Sequence, residues 1–160
     1  MASAELPEHP KGSLSTGNIA DELARGPRSL HVVVVSPAQP IFEGDVHWVT
    51  VPAWDGQLGI WPRHAAIVAA LGSGPLRIGQ AGGKVVRFAV RGGFLKVGDD
   101  KVTILVDSAV AEGDVDTSEA SRELDETRAA LRHPKTTEEF TELLDRRAWD
   151  EAQLKLAGGG

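Results

Sequence analysis

Apolar and polar positions alternate over short stretches between residues 30 and 106, as they do along strands with one buried face. In the clearest stretch, Val86, Phe88 and Val90 fall on one side of an extended chain, with Arg87 and Arg91 on the other. Similar runs lie at residues 32–35, 46–51, 66–71, 76–78, 94–97 and 102–106. Glycine and proline separate the runs and no helical pattern intervenes, so the sequence predicts seven to nine strands in a β-sandwich or flattened barrel.

A helical pattern replaces the alternation after Gly113, because no glycine follows until Gly158 and Glu, Arg, Ala and Leu are frequent. Asp116 followed by Glu119 is a capping-box pattern, in which a short side-chain oxygen accepts from the third backbone amide of a helix. The predicted first helix runs from there to about Arg132. Its apolar stripe is poor, so we expect the helical part to dock on another surface or to stay mobile.

A second helix is predicted beyond Pro134, whose ring disfavours helical geometry in the residue before it. Thr136 with Glu139 offers a second capping box. The apolar residues of this helix share one stripe: Phe140, Leu143, Leu144, Ala148, Ala152, Leu154 and Leu156. Because the connection is short, the two helices are predicted to form an antiparallel hairpin.

These patterns divide the chain into three segments. Residues 1–28 hold six proline and glycine residues and only a weak helical pattern around Ile19 and Leu23, which predicts a largely disordered leader. Residues 29–111 form the predicted β-sandwich domain, and residues 112–160 form the αα-hairpin domain. The predicted fold class is α+β, with a flattened sandwich or barrel followed by an antiparallel two-helix hairpin.

The formal charge is distributed unevenly between these segments. The net charge is −6, yet residues 1–111 hold ten acids and ten bases, whereas residues 112–160 hold thirteen acids and seven bases. No window supplies the basic stripe that phosphate contacts require, so the sequence predicts no nucleic-acid partner.

Several kinds of chemistry are excluded or disfavoured. The chain has no cysteine, which excludes disulfides, thiolate nucleophiles and cysteine-ligated zinc. Its longest apolar run, residues 65–71, is far shorter than the roughly 20 residues of a membrane helix, and its first twenty residues do not fit a signal peptide. The five histidines lack metal-ligand spacing, and no phosphate loop or nucleophile elbow is present. We therefore expect no catalytic residue, no metal and no cofactor.

The segment from Trp54 to His64 is predicted to be a loop that carries two of the four tryptophans. Trp54 and Trp61 either plug the end of the β core or anchor an interface, and the residues leave both interpretations open. His64 is more typical of a histidine held by the backbone than of a catalytic base. Residues 98–100, Gly-Asp-Asp, are predicted to form a hairpin turn.

An ordered series of short motifs resembles the epsilon subunit of bacterial F-type ATP synthase, over about residues 30–157. The motifs are Ser36-Pro37, Phe42-Glu43-Gly44, Val51-Pro52, Asp55-Gly56-Gln57-Leu58-Gly59-Ile60, Pro62-Arg63-His64-Ala65, Gly92-Gly93-Phe94-Leu95 and Val102-Thr103-Ile104-Leu105. The resemblance implies a ten-stranded flattened sandwich followed by the helical hairpin.

The resemblance also implies a function without catalysis. The protein would be a rotor subunit of the central stalk of the proton-translocating ATP synthase, coupling rotation of the c-ring to ATP synthesis through the gamma subunit. Its partners would be gamma, the c-ring and the catalytic alpha and beta subunits. It would lie at the cytoplasmic face of the bacterial inner membrane, associated with the membrane only through the complex.

Particular residues are implicated by the same resemblance. The implied c-ring and gamma interface consists of Trp54, Asp55, Gly56, Gln57, Leu58, Gly59, Trp61, Arg63 and His64. Members of the family usually carry glycine where Arg63 stands and often an acid where Gln57 stands. Both departures are expected to alter the contact to the ring.

In that family the hairpin is a movable inhibitor of ATP hydrolysis, and some relatives bind ATP on it. Asp116 and Ala120 match the ATP motif, but Glu119, Trp149 and Gln153 stand where arginines are required. Because bidentate phosphate recognition needs guanidinium groups and a carboxylate repels a triphosphate, we expect no ATP site and interpret Asp116 and Glu119 as a helix cap.

The resemblance also implies that residues of the hairpin take part in regulating ATP hydrolysis. These residues are Asp116, Glu119, Arg122, Arg146, Arg147 and Trp149. A local basic face is expected from Arg122, Arg128, Arg132, Arg146 and Arg147. It would compensate in part for the acidic charge of this segment when the hairpin approaches the beta subunit.

Two other classes of protein remain as alternatives. A free-standing sandwich that binds sugars or peptides would need tryptophans on one shared face, and the sequence does not indicate one. A small hydrolase or isomerase would need acids or histidines that converge in a pocket, whereas Asp45, Asp55 and Asp107 are scattered over turns and strand ends.

Overall fold

The computed structural model describes residues 28–159, which fold into ten strands followed by two helices. The predicted disordered leader, except for Arg28, lies outside the described residues. The strands are β1 (Leu30–Val35), β2 (Pro40–Val46), β3 (Trp48–Ala53), β4 (Gly56–Ile60), β5 (Ile67–Ala70), β6 (Gly74–Gly79), β7 (Val85–Arg91), β8 (Phe94–Gly98), β9 (Lys101–Leu105) and β10 (Ser108–Ala111). The helices are α1 (Thr117–Ala130) and α2 (Thr137–Ala157).

The strands form two five-stranded sheets. The first sheet has the order β2-β1-β9-β8-β5, and the second has the order β10-β7-β6-β3-β4. Among the described strands, β1 and β9 pair in parallel, with His31 opposite Lys101 and Val35 opposite Leu105, whereas the other pairs are antiparallel. At the centre of the first sheet, β1 therefore pairs with β9, a strand that lies seventy residues later in the chain.

The core lies between the two sheets and is made by the apolar half of each alternating strand. Val32 and Val34 from the first sheet and Val49 and Val51 from the second are completely buried, as is Ile104. Full burial of one such aliphatic side chain stabilises the fold by about 1.5–3 kcal/mol. The predicted α+β sandwich is confirmed.

The ten strands exceed the seven to nine that alternation predicted and match the number that the resemblance implies. One strand outside the prediction is β4, which is formed by residues 56–60 of the predicted loop. This strand pairs with β3 over five residues, from Ala53 opposite Gly56 to Val49 opposite Ile60. Glycine is required at position 59, because the Trp61 ring occupies the space where a Cβ atom would lie. Two glycines in five residues lower the intrinsic strand preference, so the local pattern indicated a loop.

The predicted turn between β8 and β9 is confirmed. Asp99 and Asp100 have φ angles of 51° and 57°, the left-handed conformation that both central residues of a type I′ hairpin turn require. Aspartate tolerates this conformation better than most residues with a side chain. The turn places Asp100 beside the start of β1, where its carbonyl accepts from the backbone N–H of His31 at 2.9 Å.

The helices stack on the second sheet in two layers. Helix α2 packs against the outer face of β6 and β7, and α1 packs against α2. Helix α1 ends at Ala130, with Leu131 as its C-cap, slightly before the predicted end at Arg132. Of the two alternatives expected for the weakly amphipathic hairpin, docking on another surface or mobility, this structure shows the docked arrangement.

Candidate functional site

The loop between β3 and β4 consists of only Trp54 and Asp55, because Ala53 and Gly56 are already paired. Gly56 has a φ of 139°, a conformation that residues with a side chain rarely adopt, and this allows the tight reversal. The Trp54 side chain is 76% exposed, and no other large apolar side chain of the described residues is more exposed. An exposed tryptophan at a rigid hairpin tip is suited to anchor an interface.

Trp54 continues into an apolar row that crosses the first sheet. Its backbone N–H donates to the carbonyl of Ala70 at 3.2 Å, and Ala70 pairs with Phe94. Phe94 pairs with Leu105, which in turn pairs with Val35. Phe94 is 62% exposed and Leu105 is 51% exposed. We call the set Trp54, Ala70, Phe94, Leu105 and Val35 the apolar row.

Sequence reasoning identified Trp54 but missed the rest of the apolar row. Alternation placed Phe94 in a strand but did not reveal that its face remains uncovered. A groove of about 310 Å³ follows the row along Val35, Pro37, Phe94 and Leu105. Contiguous exposed apolar surface of this kind typically marks a protein–protein contact.

The other predicted interface residues lie beyond the opposite end of β4. Arg63 has a φ of 67°, and its backbone N–H donates to Oδ1 of Asp100 at 2.6 Å. His64 Nδ1 lies 2.8 Å from the carbonyl oxygen of Ala65, so the expected backbone partner of His64 is confirmed. The Trp61 ring, 56% exposed, covers Gly59.

The structure therefore divides the predicted interface between two ends of the sandwich. Strand β4 separates Trp54 and Asp55 from Trp61 and Arg63, and five residues in extended conformation span about 17 Å. Gln57, Leu58 and Gly59 lie along the strand between the two groups.

The hairpin is attached to the second sheet by a small apolar cluster. Ala89 on β7 is completely buried against Ala152 and Leu156 of α2, and Trp149 and Val115 pack against the cluster. Trp149 thus has a packing role at a position that the resemblance assigns to an arginine.

A polar contact supplements this cluster farther along the helix. Arg91 Nε donates to Oδ2 of Asp145 at 3.0 Å, and the Ser73 hydroxyl donates to Oδ1 of the same carboxylate at 2.7 Å. Both charged side chains are about 40% exposed, so the ion pair is partly screened by solvent. Neither Asp145 nor Arg91 was identified as a contact residue from the sequence.

Both predicted helix caps are confirmed. Asp116 Oδ1 accepts from the backbone N–H of Glu119 at 3.0 Å, and Thr136 Oγ1 accepts from that of Glu139, also at 3.0 Å. The Glu139 carboxylate accepts in turn from the backbone N–H of Lys135 at 2.7 Å. Asp116 and Glu119 therefore have a structural role at the start of α1.

The expected basic face of the hairpin is interrupted by acids. Arg146 lies 3.8 Å from Glu123, while Arg128 and Arg147 both approach Glu151, at 3.5 and 3.9 Å. Two carboxylates therefore lie beside three of the five arginines on which the prediction relied. The hairpin therefore does not present those five arginines as one continuous positive surface.

A further acid, Asp150, lies inside the helical layer. It has no exposed surface, and neither of its carboxylate oxygens has a hydrogen-bond partner among the described residues. Burial raises the pKa of Asp150, and the Glu123 carboxylate adds to the effect, while Arg146, Thr127 and Arg91 act in the opposite direction. A signal was present in the sequence, since Asp150 falls seven residues after Leu143 and four before Leu154.

Within residues 28–159, the structure contains neither a membrane-spanning helix nor a metal-binding cluster. Neither helix in this range has the length and hydrophobicity needed to cross a bilayer. Within the same range, no three histidine or carboxylate side chains are grouped closely enough to hold a metal ion.

Comparison with known sequences identifies relatives of the sandwich and of part of the hairpin. The family model described as the beta-sandwich domain of the ATP synthase delta/epsilon chain matches residues 29–112. The ATP synthase epsilon chain of Halalkalibacterium halodurans is 45% identical over 58% of this chain and 68% of the relative. The epsilon chain of Brevibacillus brevis is 39% identical over 70% and 81%, and that of Neisseria meningitidis is 38% identical over 79% and 91%.

Solved structures share the fold. A chain in the mitochondrial ATP synthase of Euglena gracilis superposes with a TM-score of 0.71 at 23% identity, covering 96% of this chain and 91% of its own length. A chain in the central stalk and c-ring structure of the Tetrahymena thermophila enzyme gives a TM-score of 0.55 at 18% identity, covering 81% and 97%. The chain belongs to the ATP synthase delta/epsilon chain family, and the resemblance to the epsilon subunit is confirmed.

Proposed function

We propose that the chain is a rotor subunit of the F-type ATP synthase, located in the central stalk that couples rotation of the c-ring to ATP synthesis through gamma. The observation that carries this proposal is the family match across the whole sandwich, which bears an exposed tryptophan tip continuous with an apolar row. The subunit transmits torque and contributes no catalytic group, since the alpha and beta subunits provide the active sites. It lies at the cytoplasmic face of the bacterial inner membrane and is held there only by its partner subunits.

We assign the two ends of the sandwich to different partners. The tip formed by Trp54 and Asp55 contacts the polar loops of the c-ring, with the apolar row extending this surface. The segment around Arg63 and His64 contacts gamma. The outer face of β6 and β7 is covered by α2, which leaves the face of the first sheet for these contacts.

Retention of the chain in the purified complex tests this assignment. A Trp54→Ala, Phe94→Ala double variant is expected to be retained at least about fivefold less on host membranes or in purified ATP synthase than the wild type. Truncation of two exposed apolar side chains at an interface removes roughly 1–4 kcal/mol of binding free energy. Phe140→Ala is the matched control, because Phe140 is 42% exposed but lies on the hairpin.

Two outcomes of this experiment would contradict different parts of the proposal. Equal retention of the double variant and the control would contradict the assigned surface. Failure of the wild-type chain to co-purify with gamma, c, alpha and beta subunits would contradict the rotor function itself and would favour an independent binding module.

The hairpin is proposed to regulate ATP hydrolysis by leaving the sheet. Its attachment is small, consisting chiefly of the Ala89 cluster and the Asp145 contacts, so docked and released states differ by only a few kcal/mol. Deletion of residues 112–160 is expected to raise ATP hydrolysis by the assembled enzyme. Unchanged hydrolysis with the truncated chain fully incorporated would contradict regulation without affecting the rotor proposal.

We also propose that this hairpin does not bind ATP. The Asp116 side chain is engaged in the helix cap and Trp149 packs against the Ala89 cluster, so both side chains have other roles in the docked state, while Glu119 places a carboxylate where the ATP motif has an arginine. Calorimetric titration with MgATP is expected to give no heat of binding at millimolar nucleotide. A saturable signal that is lost on deletion of residues 112–160 would contradict this proposal.

A further inference from the structure

The interface between α1 and α2 contains a carboxyl group that neither the sheet contact nor the helix caps use. Asp150 is 0% exposed and Thr127, on α1, is 2% exposed. Both Asp150 oxygens and the Thr127 hydroxyl oxygen are buried without a hydrogen-bond partner in residues 28–159. A buried ionised carboxylate without hydrogen bonds is strongly destabilising, whereas a neutral carboxyl group is much less so.

The charged groups around Asp150 come from three elements. Helix α1 contributes the Glu123 carboxylate, α2 contributes Arg146, and β7 contributes Arg91. Arg146 is shared with Glu123 at 3.8 Å, and Arg91 is already engaged with Asp145 at 3.0 Å. No cation of this group is therefore dedicated to Asp150, and the nearest acid repels a second negative charge.

We propose that Asp150 is a proton-operated latch between α1 and α2. With its proton in place, the neutral Asp150 carboxyl group stays buried between the helices, because it does not need the hydration that a carboxylate needs. When the proton passes to solvent water, the carboxylate requires hydration, and α1 separates from α2 to provide it. Lower pH therefore favours the closed hairpin, and higher pH favours the open one.

The latch is distinct from the attachment of α2 to the sheet. That attachment is made by other residues than Asp150, namely Ala89, Ala152, Leu156 and the Asp145 carboxylate. Opening between α1 and α2 can therefore occur while α2 remains on the sandwich. The proposal concerns the isolated chain and does not depend on its place in the ATP synthase.

The sign of the pH dependence follows from the raised pKa of Asp150 in the closed hairpin. In the open hairpin, water reaches the carboxyl group, which then titrates near the ordinary aspartate value of about 3.9. Below that ordinary value the protonated carboxyl group makes its full contribution to the stability of the closed hairpin. The contribution is lost as pH rises from the ordinary value through the raised pKa. Within this window the opening constant increases by up to about tenfold per pH unit, the limit for release of one proton.

Hydrogen exchange of the α1 amides in the full chain measures this opening directly. After correction for intrinsic exchange rates, protection of residues 117–130 in the wild type is expected to fall as pH rises. In Asp150→Asn the same amides are expected to be more protected and to show a weaker pH dependence. Asp125→Asn is the matched control, because Asp125 is an exposed acid on α1, and it is expected to behave as the wild type does.

A second variant and a direct titration keep the test decisive if Asp150→Asn does not fold. Thr127→Val removes a hydroxyl that favours the ionised form, so the fall in protection is expected to move to higher pH. The carboxyl carbon of Asp150 in the wild type, followed by NMR, is expected to titrate above the ordinary aspartate value. Titration of Asp150 at about 3.9, or an identical pH dependence of protection in the wild type and Asp150→Asn, would overturn the proposal.

Discussion

Arg91 on β7 and Asp145 on α2 form an ion pair of 3.0 Å that joins the two structural parts of the molecule. The Ser73 hydroxyl donates to the second oxygen of the same carboxylate, so the side chain of Asp145 is held at both oxygens. Arg91 is the last residue of β7, and this end of the strand lies near the turn between β3 and β4. The ion pair therefore holds α2 over that end of the sandwich. It is a natural point at which to release the hairpin experimentally.

Asp145→Ala is expected to weaken the docking of α2 without unfolding the sandwich. The side chains are about 40% exposed, so removal of the ion pair and one hydroxyl hydrogen bond should cost about 1–2 kcal/mol. Hydrogen exchange of the α2 amides measures the change, and Glu142→Ala on an exposed position of the same helix is the control. Equal protection of α2 in both variants would show that the pair does not contribute to docking.

Ala89→Leu is expected to displace α2 from the sheet. Ala89 is completely buried against α2, and overpacking at such a contact typically costs 1–3 kcal/mol. The sandwich should keep its thermal transition, while limited proteolysis cleaves the hairpin faster than in the wild type. Ala129→Leu, at an exposed site on α1, should leave the cleavage rate unchanged.

His31 is expected to titrate above its ordinary pKa because its ring bonds to Asp45, with Glu43 on the other side. The protonated ring favours the pairing of β1 with β2, so this contribution is present below about pH 6.5 and is lost as pH rises through the raised pKa. NMR titration of the imidazole should show a decrease in pKa in Asp45→Asn that exceeds the decrease in Glu43→Gln. The reverse order would contradict the assignment of Asp45 as the principal partner.

Gly93→Ala is expected to prevent or severely weaken folding. Gly93 has a φ of 111°, and a Cβ there would overlap the carbonyl of Leu105 on the neighbouring strand. The strained backbone and the steric conflict together should cost more than about 2 kcal/mol. Gly98→Ala is the control, because a Cβ at Gly98 meets no atom within 4 Å. Urea denaturation of the two variants compares the losses, and a similar midpoint for both would refute the steric argument.

The strands with strong alternation were predictable from the sequence because one face of each is buried. Val86, Phe88 and Val90 follow this rule. Strand β4 was missed, since Gly56 and Gly59 serve the tight turn and the Trp61 ring, and neither requirement leaves a periodic signal. A glycine-rich strand becomes recognisable only when its neighbours are known.

The helix caps were predictable for a different reason. Asp116 and Thr136 act on amides three residues away, so the information is local in the sequence. The apolar row was not predictable, because the exposure of Phe94 and Leu105 depends on which sheet face the hairpin covers. The burial of Asp150 likewise depends on the packing of α1, and a helical periodicity alone shows only that it lies near an apolar stripe.

The parallel pairing of β1 with β9 affects how the chain reaches its fold during synthesis. The β1–β2 hairpin is complete when Val46 has left the ribosome, but its central partner ends at Leu105. At about 5–20 residues per second, the remaining residues require roughly 3–12 s of translation. Throughout that interval the edge of β1 that later pairs with β9 is unpaired, so the newly made strands are open to incorrect pairing until β9 arrives.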